Sequence, residues 1–244
     1  MSETVGIAGD DIRPLDSAFV MKVFYAFAAM ALLSVAISVG GKFLGQSIVK
    51  AGHSDDSTKY EVVVGNNVAV VPGNEIRFER SRRDGIAARL DLYFRWPDLS
   101  GYTVAAQDDF NHAGGAKRII FASIEENMMS RDMSGRFEPI YRDLIMTPGS
   151  EGPNGTRLFA FDPKSGYMNE LLVVAPRAGQ EPFVARCLTG PSAAQSLAPC
   201  ERDVHIGGGL SLTYRFPGEL LGEWKALDRN VVGKITGMLK TARQ

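Results

Sequence analysis

From Val23 to Gly41 the chain runs nineteen residues, VFYAFAAMALLSVAISVGG, without a charge. A helix rises about 1.5 Å per residue, so this stretch covers about 28 Å, close to the roughly 30 Å of a bilayer's hydrocarbon core. No other window in the sequence approaches it. It divides the chain into a polar tail over residues 1–19, an anchor over residues 20–44, a small polar linker over residues 45–58 and a globular domain over residues 59–244. Membrane lipid is the expected partner of residues 23–41.

Two other readings compete with the anchor. A buried core helix can be apolar all round, but is seldom this long and charge-free. A cleavable signal peptide needs a short basic leader and a small-residue cleavage site. Here the leader is long and carries Glu3, Asp10, Asp11 and Asp16 against only Arg13 and Lys22, and Ala36-Ile37-Ser38 is a poor cleavage pattern. The residues favour an uncleaved anchor. Flanking lysines are too evenly distributed to orient it.

Beyond the anchor, 26 Gly and 12 Pro, nearly all in the globular part, point to a turn-rich, strand-rich domain. The clearest strand is Ala88–Trp96, where Leu90, Leu92, Phe94 and Trp96 alternate with Arg89, Asp91, Tyr93 and Arg95. Strands are also expected at Tyr60–Val64 and Val68–Val71, a hairpin across Gly65-Asn66-Asn67, and at Glu75–Glu79, Tyr102–Ala106 and Arg118–Ile124. A short helix is expected near Glu138. Arg157–Phe161, Met168–Ala175 and Phe183–Leu188 are spaced as an antiparallel meander. Arg202–Ile206 and Leu210–Phe216 read as one strand broken by a bulge or bend at Gly207-Gly208-Gly209. The last element is a helix over residues 219–241, with Leu220, Leu221, Trp224, Leu227, Val231, Ile235, Met238 and Leu239 on one stripe. The expected class is α+β, mainly antiparallel β: a transmembrane helix, a meander or sandwich-like domain, and an amphipathic C-terminal helix packed on it.

Cys187 and Cys200 are the only cysteines, flanking the turn-like TGPSAAQSLAP. They end one strand and begin the next, which sets them opposite each other. A disulfide is expected, closing a loop worth about 3 kcal/mol in the chain-entropy model. Such a bond belongs to an oxidising compartment. It orients the chain with a cytoplasmic N-terminus and an extracytoplasmic domain, periplasmic if the host is bacterial.

A balance of 27 basic and 28 acidic residues argues against nucleic acid as a partner. Phosphate-loop, H-E-x-x-H and G-x-S-x-G patterns are absent from the sequence. The residues assign no catalytic or cofactor-binding group and call for no cofactor. Asp108, Asp109 and His112 form the one compact polar group with cation-binding chemistry, although a solvated loop is the plainer reading. His53 falls in the linker and His205 on a strand face toward solvent. Asn154-Gly155-Thr156 reads as a turn rather than a glycosylation site. The expected function is an anchored, non-catalytic binding or scaffold module of an envelope complex with protein partners. The alternatives are an anchored, hydrolytic enzyme with a site assembled from loops, and an accessory subunit of a larger membrane complex.

Overall fold

The computed structural model describes residues 17–50, 52–115 and 118–240, which form two compact units divided between Val49 and Lys50. Most of the expected tail and the last residue of the expected C-terminal helix lie outside the described residues.

The described residues of the first unit form one helix, Ser17–Lys50, whose last residue falls just past the division. Its window Ala18–Gly41 has a mean hydropathy of 2.1, and none of the window is buried. By length and composition it suffices to cross a bilayer; a signal sequence passes the same test. The helix continues to Lys50, so the first part of the expected linker is helical.

The described residues of the second unit form eleven strands. β1 (Lys59–Val64) and β2 (Asn67–Pro72) form an antiparallel hairpin, and β3 (Gly85–Ile86) lies parallel to β1. The remaining strands are β4 (Arg89–Arg95), β5 (Ile119–Glu126), β6 (Ser150–Glu151), β7 (Arg157–Ala160), β8 (Glu170–Ala175), β9 (Phe183–Leu188), β10 (Cys200–Ile206) and β11 (Leu210–Phe216). They make one antiparallel sheet in the order β4-β5-β11-β10-β9-β8-β7-β6. The meander β7 to β9 is as expected; β6 adds to its edge where a turn is expected, β10 and β11 continue it, and the β4–β5 pair extends the sheet beside β11.

Alternation along the strands gives this sheet two unlike faces. Leu90, Leu92, Phe94, Ile124, Leu212, Tyr214, Val173 and Ala185 are buried on the inner face. The C-terminal helix, Trp224–Met238, covers it with Trp224, Leu227, Val231 and Ile235, while the β1–β2 hairpin adds Val62, Val64, Ala69 and Val71. Each such side chain contributes about 1.5–3 kcal/mol on leaving water. The expected apolar stripe is therefore the packing face. Its first turn, Gly218–Glu223, is a 3-10 turn.

Four expectations change. Glu75–Glu79 is not a strand; only Ile76 bridges to Leu92, between 3-10 turns at Gly73–Glu75 and Glu79–Ser81. The guanidinium of Arg82 takes the carbonyls of Ile76 (3.1 Å) and Arg77 (3.3 Å) that a ladder would have used. Tyr102–Ala106 is not a strand either: Tyr102 is drawn into an aromatic cluster, and Val104–Ala106 turns 3-10. The three glycines form a hairpin reversal, pairing Ile206 with Leu210, with Gly207 at φ 53° and Gly209 at φ 79°. Residues 190–199 contain a helical turn, Gly190–Ala194.

The disulfide joins Cys187 to Cys200, directly opposed on β9 and β10 with their Cα atoms 4.0 Å apart. Past Glu201 and Arg186 the two strands separate. Arg202, 1% exposed, fills the split: Nη1 donates to the Val184 carbonyl (2.8 Å) and to Ser134 Oγ (3.0 Å), and Nε to Asp228 Oδ1 (2.9 Å). A loop also enters the split, with Asp132 Oδ2 accepting the backbone N–H of His205 at 3.3 Å.

Candidate functional site

The outer face of the large sheet is covered at two places and open between them. At one end Tyr93, Tyr102, Ala106, Phe110 and Ile119 make an aromatic cluster over β4 and β5. At the other, Met133, Tyr141, Phe161, Leu172 and Val184 pack over the β7–β9 region. The centre, on β5, β11 and β10, is an open polar trough.

Strand register arranges the trough in rows. One row crosses seven strands: Tyr93, Phe121, Arg215, Glu201, Arg186, Leu172 and Phe159. Its ends are aromatic and its middle is charged. The next holds Asp91, Ser123, Thr213 and Asp203; the third holds Arg89, Glu125, Ser211 and His205. Small hydroxyl side chains therefore floor the centre and charged ones rise at its sides. Two adjoining depressions result, of about 300 Å³ and about 210 Å³, sharing Glu125, Glu201 and Thr213. Met128, 96% exposed, stands on the rim.

The charges are largely paired. Arg186 bonds Glu201 at 2.9 Å and lies 3.2 Å from Glu170. Arg89 bonds Asp91 at 2.9 Å, and Arg136 bonds Asp203 at 2.5 Å. Burial pushes the Asp203 carboxyl above its ordinary pKa, with Arg136 acting in the opposite direction. Nε of Arg136 and of Arg186 are buried without a hydrogen-bond acceptor. Ser211 faces His205 across β10 and β11, but no hydrogen bond joins them. The geometry presents donors and acceptors of both signs about 4.8 Å apart, strand to strand. That array can pair with polar and charged groups of both signs on a ligand.

The loop candidates lie elsewhere. Asp109 faces Arg95 at 3.6 Å. Asp108 sits in the same helical turn, Gln107–Phe110, and its carbonyl accepts the Ala113 N–H. His112 has φ 54°, and its ring is 6.2 Å from that of Phe121. Among the described residues, no group of three or more His, Cys, Asp or Glu side chains stands where it holds a metal ion.

His53 is packed where a solvated linker is expected. Its ring stacks on Tyr102 and Tyr93, with centroids 4.8 and 5.3 Å away, and Nδ1 lies 3.1 Å from the Tyr93 hydroxyl. Burial holds its pKa below the ordinary value, aided by Arg82. Burial also pushes the Tyr93 phenol up to about 12. Aromatic surface left open at the end of the sheet explains the docking: a flat imidazole covers two tyrosine faces.

The polar alternation of Glu201, Asp203 and His205 and of Ser211, Thr213 and Arg215 is visible in the sequence. Strand order is not, and it is strand order that unites these residues with Arg89, Asp91 and Glu125.

These features define an α+β domain whose antiparallel sheet carries a helix on one face and an open charged trough on the other. No family model matches the chain. No curated protein matches it either. Two solved structures are similar. One is Smlt3025, an immunity protein of the Stenotrophomonas maltophilia type IV secretion system, at 14% identity and a TM-score of 0.48, covering 76% of this chain and 94% of that one. Another is the Neisseria meningitidis iron-regulated outer membrane lipoprotein FrpD, at 10% identity and a TM-score of 0.43, covering 75% of this chain and 93% of that one.

Proposed function

We propose that this chain is a single-pass membrane protein with a short cytoplasmic tail, whose extracytoplasmic domain is a non-catalytic binding or scaffold module of an envelope complex. The domain would dock a protein partner in the charged trough. The observation that carries the anchoring is the helix window Ala18–Gly41, apolar but for Lys22 and with none of it buried. Leaving that much apolar surface in water would cost far more than a domain's net stability. The Cys187–Cys200 disulfide supports the extracytoplasmic side. The trough supports a protein ligand: it is long, shallow and of mixed charge, whereas small-molecule sites are enclosed and mostly apolar.

A combined topology and crosslinking experiment tests this. In spheroplasts of a bacterial host, protease added outside should digest the domain and spare the tail. A photo-crosslinking residue at position 211 or 213 should then form one discrete adduct in intact cells. The same residue placed on exposed Gly233, on the opposite side of the sheet, should not form it. Protection of the domain from outside protease overturns the orientation; adducts that do not depend on position overturn the trough as the docking face.

A further inference from the structure

The segment from Arg77 to Ile86 has the chemistry of a lipid headgroup contact. It carries Arg77, Arg80, Arg82 and Arg83 against Glu79 and Asp84. Arg82 holds the segment in place, with Nη2 donating to the Gly52 carbonyl at 2.8 Å. Gly52 is two residues past Lys50, where the helix ends, so the backbone bonded by Arg82 is within about 7 Å of that end along the chain. Asp84 accepts the Glu61 N–H at 2.8 Å. Arg80 and Arg83 are exposed and form no ion pair among the described residues. They border a depression of about 220 Å³ whose other lining is Val62, Ser81, Asp84, Gly85, Ile86 and Ala87. Ile86 is 88% exposed and Phe78 36%. The guanidiniums of Arg83 and of Arg80, which lies 5.3 Å over the Phe78 ring, stand with exposed Ile86 on this segment and match a phosphate with the first methylenes of its acyl chains.

We propose that this segment is a second membrane contact: Arg80 and Arg83 bind phosphates of anionic phospholipids, and Ile86 enters the interface beneath them. The inference rests on the anchored reading. Its test uses the full chain in nanodiscs of phosphatidylcholine alone or mixed with phosphatidylglycerol, read by amide hydrogen exchange. Residues 77–87 should exchange about tenfold more slowly in the anionic discs. The protection should vanish in R80Q/R83Q and in high salt, while exchange in β9 stays unchanged as a control on folding. Equal exchange in both discs overturns the inference, as does protection retained in R80Q/R83Q. Protection by free inorganic phosphate in the zwitterionic discs would also overturn it, by showing an anion site without lipid. A chain that fails to enter discs at all refutes the anchor instead, a separate and distinguishable result.

Discussion

Arg202 and Asp228 meet inside the domain, the guanidinium Nε donating to Oδ1 over 2.9 Å. The pair ties β10 to the C-terminal helix. Asp228 also accepts from Tyr214 at 2.8 Å and from Arg177 at 2.5 Å, so one carboxylate serves three donors. Removing it leaves a buried, uncompensated guanidinium. Asp228→Ala should cost about 3–5 kcal/mol, and Arg202→Met less, because Asp228 then keeps Arg177 and Tyr214 as partners. Urea unfolding of the two variants gives the comparison.

Glycine positions separate by their surroundings. A Cβ at Gly101 would stand 2.5 Å from the Asn74 carbonyl oxygen, whereas one at Gly233 meets nothing within 4 Å. Gly101→Ala should therefore destabilise by about 1–3 kcal/mol. Gly233→Ala, within the C-terminal helix, should stabilise by up to about 1 kcal/mol. Thermal melts would show shifts of opposite sign.

The disulfide spans a sequence separation of 13. Replacing both cysteines by alanine should lower stability by about 3 kcal/mol while keeping the fold, since the bridge acts mainly on the unfolded chain. In cells, Cys187 and Cys200 should resist alkylation until a reductant is added.

Linker docking should depend on pH. His53 titrates below its ordinary 6.5 when docked, because burial and the cations Arg82 and Arg77 disfavour its charged form, while Asn111 offsets part of this. The free ring takes up a proton first. Docking is thus fully present above about pH 6.5 and weakens as pH falls toward the depressed value. Exchange of residues 52–58 should rise between pH 7.5 and pH 5.5, and His53→Phe should remove that dependence. No change with pH in the native chain would contradict the docked ring.

Filling the trough should separate binding from folding. Thr213→Trp places a large side chain on its open floor, where the native residue is partly exposed. The variant should keep its melting temperature within a few degrees and lose the discrete crosslink formed from position 211. A retained adduct would move the docking face elsewhere.

The amino-acid order alone determined the long apolar helix, most of the strands, the buried stripe from Trp224 to Ile235 and the pairing of Cys187 with Cys200. These follow from local periodicity and from partners a short loop apart, which a linear reading captures. Glu75–Glu79 shows where that reading ends: its alternation is that of a strand, but the Arg82 side chain folds back to take the carbonyls of Ile76 and Arg77. The trough, the Arg202–Asp228 pair and the seat of His53 were decided only by tertiary structure. Each depends on which strands become neighbours and where β9 and β10 part. Those choices are made by global packing of the apolar face, and they bring together residues that no local pattern links.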